Sequence, residues 1–548
     1  MNESNYSARS TERNTSIDAT ETNEISSRLL NQIFGTEQLS RIPGSLTPAD
    51  ILYAEELTAV APTEPAVLPE PVRRAIERVD SKRFPQDITD ADIQRTVRSL
   101  QSESEAALHR KVNFREQEQA DSSLNAPKLQ RDAIRKNKSK LGAARTLDVR
   151  SVRSDFPALH QDINGHSLVW FDNGATTHKP IEVIETLSRF YACDYSNIHR
   201  AAHTLAARAT DHYELARETV REFVHAQSTN DIVFVRGTTE GINFIAQTCK
   251  SFLKEGDEVL LTEMEHHANI VPWQLLADEL RLRIRVIPFN DDGDIMMDEY
   301  RRLLTHKTKI VSVTHASNTL GTILPVEEMA SMAHRKGARF VIDGAQSVAH
   351  LPIDVQSLGC DFFVFSGHKV FAPTGIGVVY IHPDLQELLP PWQGGGNMIH
   401  RVSFDGTTFS DPPAKFEAGT PSIGDAVGLG AALRYLMQFD SASLLQHEHS
   451  LLEHASTSLQ SIPGVTTLGR SRNKVGLVSF VLDRYTTDQV GKELDRQGIA
   501  VRTGHHCAQP SLRHFGLEST VRPSFALYNT HEEIDRMIEV IHRLARKA

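Results

Sequence analysis

The chain has 548 residues, of which 40% are hydrophobic, 24% charged and 7% aromatic, and its formal net charge is −11. This composition excludes collagen-like, mucin-like and wholly disordered chains, and the charge argues against a nucleic-acid partner. The four cysteines contain no CxxC pair, which predicts no disulfide framework and favours a reducing, cytoplasmic location. No secretory signal and no run of about 18 apolar residues occurs, so no membrane association is expected.

Residues 1–145 differ in composition from the rest of the chain. They contain five aromatic residues and no Cys, whereas residues 146–548 hold the other 31 aromatic residues. We therefore predict a low-order N-terminal extension that lacks a core of its own. It carries three short apolar stretches: RLLNQIFG (28–35), IPGSLTPADIL (42–52) and PAVLPEPVRRAIER (65–78). Each is too short to be stable alone in water, so it either packs on folded sequence, binds another protein, or is a solvated spacer.

From about residue 150 the pattern changes to short β-rich runs that alternate with helical stretches. The predicted strands are DIVFV (231–235), EVLLT (258–262), RIRVIPF (283–289), KIVSVTH (309–315), ARFVIDG (338–344) and CDFFVFS (360–366). This alternation predicts an α/β fold with a mostly parallel central sheet and helices on both faces. In such folds ligands bind at the C-terminal ends of the strands.

Polar residues at three of these strand ends suit one cofactor. GTTEG (237–241) opens a helix and offers backbone N–H groups and hydroxyls to a phosphate. Asp343 ends a buried strand, and Lys369 follows another; taken singly, the first is more often a cap and the second more often reaches to water. Together they match the needs of pyridoxal phosphate, namely a lysine for the aldehyde, a carboxylate for the ring nitrogen and a phosphate cradle.

Cys507 is the candidate reactive cysteine. It lies in RTGHHCAQP (502–510) among turn-forming residues and histidines, which favours an exposed and stabilised thiolate. Cys193, Cys249 and Cys360 lie in apolar contexts typical of buried cysteines. The histidines beside Cys507 and in EHH (265–267) could also be metal ligands, but neighbouring side chains rarely point at one ion, and no metal is expected.

Seven segments in order, GTTEG, EHHANIVPW, ASNTLG, VIDGAQS, FSGHKVFAPTGIG, FEAGTP and RTGHHCAQP, resemble the class V, fold-type I pyridoxal-phosphate enzymes. Within that class they are similar to the SufS-like cysteine desulfurases, and the short cysteine loop resembles their type II. The resemblance covers roughly residues 150–548. It implies a large domain at about 180–415, and a smaller α+β domain at about 416–548 plus 150–180.

The resemblance also assigns roles residue by residue. Lys369 would bind the cofactor covalently, Cys507 would carry sulfur, and His266 would stack on the cofactor ring and assist proton transfer. Thr420 would reach in from a second subunit, which implies a homodimer. The other residues assigned to the cofactor are Asp343, Gln346, Thr238, Ser366 and His368. Those assigned to the substrate are Asn318 and Arg522, with His199, Arg200 and Arg502 at the entrance.

The implied reaction converts L-cysteine to L-alanine. Lys369 takes the Cα proton, and the Cys507 thiolate attacks the substrate sulfur to form a persulfide. Type II enzymes generally pass this sulfur to an acceptor protein. A selenocysteine lyase or a cysteine sulfinate lyase would share Lys369 and Asp343 and is the alternative; a cargo module with a vestigial catalytic domain is less consistent with these residues.

The extension has a resemblance of its own. Its layout, a long low-order arm with short apolar stretches, is similar to that of desulfurases packaged inside family 2 encapsulin shells. This implies that residues 1–145 bind a shell protein, and that the enzyme is cytoplasmic and enclosed in a nanocompartment that stores or sequesters its sulfur.

Overall fold

The computed structural model describes residues 144–199 and 203–547. Residues 1–143 of the predicted extension, which include its three apolar stretches, lie outside the described residues. The described strands are β1 (Asp162–Ile163), β2 (His166–Ser167), β3 (Val169–Trp170), β4 (Ile232–Val235), β5 (Glu258–Thr262), β6 (Arg283–Ile287), β7 (Thr308–Thr314), β8 (Arg339–Asp343), β9 (Phe362–Ser366), β10 (Gly377–Ile381), β11 (Ile399–Ser403), β12 (Gly406–Phe409), β13 (Val465–Leu468), β14 (Ser479–Leu482), β15 (Ile499–Ala500), β16 (Arg502–Gly504) and β17 (Thr520–Arg522).

The described α-helices are α1 (Val149–Ser154), α2 (Ile181–Arg189), α3 (Thr204–Phe223), α4 (Thr238–Cys249), α5 (Val271–Leu280), α6 (Met297–Leu303), α7 (Val326–Arg335), α8 (Val355–Leu358), α9 (Pro383–Gln386), α10 (Ile423–Leu436), α11 (Ser441–Gln460), α12 (Thr487–Asp495), α13 (Gln509–His514) and α14 (His531–Lys547). Within the described ranges, no helix combines the length and the apolar character needed to cross a membrane.

Seven strands form the central sheet, in the order β4-β10-β9-β8-β7-β5-β6. β10 runs antiparallel to both of its neighbours, and all the other pairs are parallel. Since β4 and β9 both oppose β10, they run in the same direction as the parallel strands. The carboxyl ends of β4, β5, β7, β8 and β9 therefore meet at one border of the sheet, which we call the C-terminal edge.

Apolar sequence buries this sheet on both faces. All five residues of β9 are buried, and alternate ones enter different cores: Phe363 and Phe365 face one, Phe362 and Val364 the other. Helix α4 comes close because Gly241 lacks a side chain, since a Cβ there would lie 2.4 Å from Val364 Cγ2. The predicted mostly parallel sheet with helices on both faces is confirmed, and all six predicted strands are present. β10 was not predicted.

A second sheet forms a separate layer, in the antiparallel order β13-β14-β17-β16. Leu451 and Leu452 of α11 and Ile534 and Met537 of α14 share its core with Phe480. β3 pairs in parallel with β15 and so joins the early part of the folded chain to this layer. Helix α10, by contrast, packs against α2 and α3.

A buried ion pair connects α3 to the loop before α10. Arg217 is 1% exposed, and two of its nitrogens donate to the Glu417 carboxylate at 2.7 and 2.9 Å. Glu417 also accepts the backbone N–H of Phe234 in β4 at 2.8 Å and the Tyr213 hydroxyl at 3.1 Å. Because Glu417 lies three residues before Thr420, this cluster fixes the segment that carries FEAGTP to the central sheet.

We expect Glu417→Ala to lower the free energy of unfolding by about 3–5 kcal/mol, because it removes the buried counter-charge of Arg217 and leaves only the more exposed Glu214 paired with it. The measurement is urea unfolding followed by circular dichroism. Glu493→Gln, which breaks the more exposed Arg496–Glu493 pair (N–O 2.7 Å), is the control and should leave the midpoint unchanged. Equal midpoints for Glu417→Ala and the control would contradict this assignment.

Candidate active site

The C-terminal edge of the central sheet carries most of the predicted site residues. Thr238 follows β4, His266 follows β5, Asn318 follows β7 and Lys369 follows β9, while Asp343 is the last residue of β8. Parallel strands in this register end side by side. Five segments that are distant in sequence therefore supply side chains to one place.

Lys369 ends the short 3-10 turn Gly367–Lys369, directly after β9. Burial lowers the pKa of its ammonium group to about 8, although the nearby Asp343 carboxylate opposes this change. A lysine with this pKa is a neutral, nucleophilic amine for a larger fraction of the time near pH 7 than an ordinary lysine is. This state is needed for reaction with an aldehyde.

Asp343 presents a buried carboxylate at the same edge. Asp343 is 3% exposed, and its Oδ1 accepts the Ala345 backbone N–H at 2.9 Å. Burial raises the pKa of this carboxyl group, and the Ala345 N–H and the Lys369 charge act against that rise. A protonated ring nitrogen at this position would supply the counter-charge that keeps Asp343 ionised.

The N-terminus of α4 forms an anion cradle with the end of β9. Ser366 Oγ accepts the backbone N–H of Thr238 at 2.8 Å and lies 2.8 Å from Thr238 Oγ1. Helix N-termini attract phosphate groups through their free N–H groups and dipole. Gly377 in β10 allows this approach, because a Cβ there would lie 2.5 Å from the Cα of Gly237. The structure thus brings Ser366 and Thr238 together at the N-terminus of α4.

His266 begins the turn after β5. Its Nδ1 accepts the Ala268 backbone N–H at 3.0 Å, which assigns the ring proton to Nε2. Burial, together with the Lys369 charge, lowers the pKa of His266 to about 3. The ring is therefore neutral and can lie against a cationic aromatic ring without repulsion.

A buried carboxyl group, Glu265, holds this turn from beneath. Glu265 is fully buried, and its Oε1 accepts the Thr262 hydroxyl at 2.6 Å and the Thr314 backbone N–H at 3.0 Å. Its Oε2 accepts the Asn269 side-chain N–H at 2.6 Å. Burial raises the pKa of Glu265 to about 8, and the hydrogen bonds from Thr262, Asn269 and Thr314 act against this rise.

The orientation of the Asn269 amide is fixed as well. Its Oδ1 accepts the indole N–H of Trp273 at 3.1 Å and the hydroxyl of Ser312 at 2.6 Å. The amide therefore cannot rotate without losing two hydrogen bonds, and its Nδ2 must face Glu265. This network ties the turn that bears His266 to β5 and β7.

Arg522 lies at the end of β17 and is 2% exposed. It donates to the backbone oxygen of Asn318 at 2.7 Å, and one nitrogen lies 3.8 Å from Asp172, which Arg502 contacts at 3.0 Å. Burial lowers the pKa of Arg522 to about 10, so the group stays charged. Two arginines share one aspartate, and the buried Nε of Arg522 and Oδ1 of Asn318 have no partner. This arrangement can accept a small carboxylate that also carries an amine.

Cys507 is exposed on a loop that faces this edge. The loop rests on the turn after β5, because the His267 backbone N–H donates to the Cys507 oxygen at 2.7 Å. The Asn318 side chain donates to the His506 oxygen at 2.6 Å. A negative charge on the Cys507 sulfur would raise the pKa of Lys369.

The other three cysteines differ from Cys507. Cys249 and Cys360 are buried, and burial raises the pKa of both thiols well above the usual range; Cys193 is partly buried. In residues 144–199 and 203–547, no group of three His, Cys, Asp or Glu side chains is arranged to hold a metal ion. Cys507 is thus the cysteine most accessible to a substrate among the described residues.

Two further predicted cofactor residues lie near this edge. Gln346 is 5% exposed, and its side-chain N–H donates to the Gly174 oxygen at 2.7 Å. His368 is part of the turn that ends in Lys369, and burial lowers the pKa of His368 to about 4, so its ring is neutral.

The remaining predicted residues are placed differently. Thr420 is exposed on its loop. The His199 ring contacts Glu214 at 2.8 Å and Asn397 at 3.3 Å, and the Glu214 hydrogen bond raises the pKa of His199. Arg200 lies outside the described residues. Within the described part of a single chain, Thr420 and His199 are thus not brought against the amine and carboxylate of the site.

The chain is similar to a known protein family. The sequence matches the family described as aminotransferase class-V over residues 169–537, which contain β3 to β17 and every site residue described above. The chain belongs to this family.

The relatives match the part of the chain that contains the site residues. A cysteine desulfurase from Synechococcus elongatus is 55% identical over 399 residues, which cover 73% of this chain and 64% of the relative, so the match spans less than two thirds of that protein. One from Escherichia coli is 45% identical, over 73% of this chain and 99% of the relative.

Solved structures are similar over nearly the same share of the chain. A cysteine desulfurase of Thermococcus onnurineus, an apo structure, is 36% identical with a TM-score of 0.71, over 74% of this chain and all of that one. A mutant of C-DES, with glycine covalently linked to its PLP cofactor, is 25% identical with a TM-score of 0.62, over 72% of this chain and 98% of that one. The cradle, the buried aspartate and the low-pKa lysine of this chain fit the same cofactor.

Sequence reasoning did not identify three contributors to the site. Asp172 pairs with Arg502 and Arg522, and only its place at the end of the VWFD run (169–172) indicates a strand end. Glu265 and His267 flank the predicted His266, but their partners lie in β7 and in residues 505–509. No local pattern reveals such distant contacts.

We expect Glu265→Gln to lower the free energy of unfolding by about 1–3 kcal/mol, because its new N–H₂ group would face the N–H₂ group of Asn269. The double variant Glu265→Gln with Asn269→Asp restores a donor facing an acceptor. It should recover part of the loss in a double-mutant cycle measured by urea unfolding. Strictly additive effects would contradict the assigned directions of these hydrogen bonds.

Proposed function

We propose that this chain is a pyridoxal-phosphate-dependent cysteine desulfurase that converts L-cysteine to L-alanine and keeps the sulfur as a persulfide on Cys507. The observation that carries this proposal is that Cys507 is exposed on a loop that is hydrogen-bonded to the turn of His266. Cys507 also lies close enough to Lys369 for a thiolate there to raise the pKa of the lysine. The names and identities of the relatives support the same activity.

The cofactor would be held by residues at the C-terminal edge. Thr238 and Ser366 would bind the phosphate, Asp343 the ring nitrogen, and His266 the ring face, with Lys369 as the covalent attachment. Gln346 and His368 are placed to complete its surroundings. When bound, pyridoxal phosphate supplies an electron sink for the charge left at the substrate Cα.

Different residues of the chain would bind the substrate, take its Cα proton and attack its sulfur. The unpartnered buried Nε of Arg522 suits the substrate carboxylate, and Asp172 holds the guanidinium. Asn318 would reach the same carboxylate through its Nδ2, and its unpartnered Oδ1 can accept from the substrate amine. The Lys369 amine, with its pKa of about 8, can take the Cα proton. The Cys507 thiolate attacks the substrate sulfur, the carbon–sulfur bond breaks, and protonation of the carbon product gives alanine.

The finer assignment is a SufS-like type II enzyme that passes its sulfur to an acceptor protein. Cys507 lies on a short loop and its residue is exposed, which leaves a persulfide open to a second thiol. A selenocysteine lyase or a cysteine sulfinate lyase remains the competing activity, and the requirement for Cys507 separates them.

A homodimer is part of the proposal. The hairpin of β11 and β12 is exposed along its length, with Phe404 fully exposed and Val402 61% exposed. Isolated hairpins are marginally stable in water, and exposed apolar clusters suit a subunit interface. The same connection leads to the exposed Thr420, which would complete the phosphate site of the other subunit.

Residues 1–145 would serve as a targeting arm. The proposal is that the apolar stretches at 28–35, 42–52 and 65–78 bind the inner wall of an encapsulin shell. It rests on the composition of the arm and on the enzyme matches, which cover 73% of the chain.

The first test is alanine release from L-cysteine, with and without a reductant that removes persulfide, by the wild type, Cys507→Ala and Lys369→Ala. We expect alanine only from the wild type, with more in the presence of reductant. Cys507→Ala should retain the absorbance of bound cofactor, and Lys369→Ala should lose its covalent attachment. Full alanine release by Cys507→Ala would replace the desulfurase with a lyase that needs no thiol nucleophile.

The second test concerns the arm. Removal of residues 1–143 should leave alanine release by the purified enzyme unchanged and abolish its co-purification with a co-expressed encapsulin shell protein. A matched chain that keeps the arm but has Leu29, Leu30, Ile33 and Phe34 replaced by Ser should lose part of the shell binding. Unchanged co-purification of the truncated chain would rule out the cargo role.

A further inference from the structure

The loop that bears Cys507 has an unusual backbone. Both His506 (φ +53°) and Cys507 (φ +54°) adopt the left-handed conformation, which side-chain-bearing residues rarely occupy. Two such residues in succession persist only where the surrounding contacts over-determine the conformation. The contacts that do so identify the residues on which the position of the thiol depends.

One histidine makes two of these contacts. The backbone N–H of His267 donates to the oxygen of Cys507 at 2.7 Å, and its ring Nε2 accepts the backbone N–H of Gln509 at 3.2 Å. His267 therefore holds the chain at Cys507 and again two residues later. Its ring also lies beside that of His505, with centroids 5.7 Å apart.

The other contacts hold the flanks of the loop. His505 Nδ1 accepts the Cys507 N–H at 3.0 Å, and the His506 ring pairs with the Thr520 hydroxyl at 2.7 Å. Beyond the loop, the Ser511 hydroxyl donates to the Glu263 oxygen at 3.0 Å. The Asn318 side chain, after β7, donates to the His506 oxygen at 2.6 Å. Of these residues, His267 is the one that adjoins His266 and contacts the loop directly.

We propose that His267 is a positioning residue for Cys507: its ring Nε2 holds the cysteine loop on the same turn that presents His266 to the cofactor. This inference rests on the proposed function and deepens it. His267 transfers no proton and contacts no substrate. Its ring must carry its proton on Nδ1 so that Nε2 can accept the Gln509 N–H.

A side chain of similar reach can replace this acceptor, which gives a sharp test. In His267→Gln, the amide oxygen can reach about as far as Nε2 does and can accept the same N–H. In His267→Phe, the ring remains and the acceptor is lost. His449→Phe, at an exposed histidine of α11 whose side chain is 59% exposed, controls for the loss of a histidine elsewhere.

For the holoenzyme with L-cysteine, we expect His267→Phe to lower kcat for alanine at least about fivefold with little change in KM, since loss of one hydrogen bond is worth this factor. The spectral change on substrate binding should be unchanged. His267→Gln and His449→Phe should retain the wild-type kcat. If His267→Gln lowers kcat as much as His267→Phe does, the ring acts in proton transfer and the positioning role is overturned. A wild-type kcat in His267→Phe would also overturn the positioning role.

A second measurement does not depend on the activity. Amide hydrogen exchange of the peptide covering residues 505–509, followed by mass spectrometry, should be faster in His267→Phe and close to the wild type in His267→Gln. Unchanged hydrogen exchange in His267→Phe would show that His267 does not hold the cysteine loop. If the wild type releases no alanine, the proposed function fails, and the exchange measurement still decides whether His267 holds the loop.

Discussion

The candidate active site depends on the parallel pairing of strands in the central sheet. Because β5, β7, β8 and β9 are paired in parallel and β4 runs in the same direction, residues as far apart as Thr238 and Lys369 end at one edge. None of these side chains could form a site from local sequence alone. The apolar strands that bury the sheet on both faces therefore also determine the distance between the amine, the carboxylate and the phosphate cradle.

The same edge uses burial to set the charge of its groups. Lys369 has a lowered pKa, Asp343 a raised one, and His266 and His368 remain neutral. Each shift has burial as its largest cause, and an opposite charge nearby moderates the shifts of Lys369 and Asp343. A cationic ring placed among them would meet one buried carboxylate and neutral imidazoles, which is the electrostatic arrangement that a pyridinium cofactor requires.

The sequence predicted those features of the fold and the site that depend on neighbouring residues along the chain. Six strands and the residues at their ends could be read from apolar runs and turn residues. The antiparallel β10 was missed because alternation of strands and helices indicates parallel pairing only. Contacts between distant segments were also missed: Arg217 with Glu417, Glu265 with Thr314, and Asp172 with two arginines. Such pairs exist only after the chain has folded, so no periodicity reports them.

The order of the site residues along the chain has a consequence for its biogenesis. Thr238, His266, Asp343 and Lys369 all precede Cys507, which lies on a loop closed by residues near the C-terminus. During synthesis every strand end at the C-terminal edge leaves the ribosome before Cys507 does. A chain interrupted between Lys369 and Cys507 would contain the buried lysine and aspartate but neither this thiol nor Arg522.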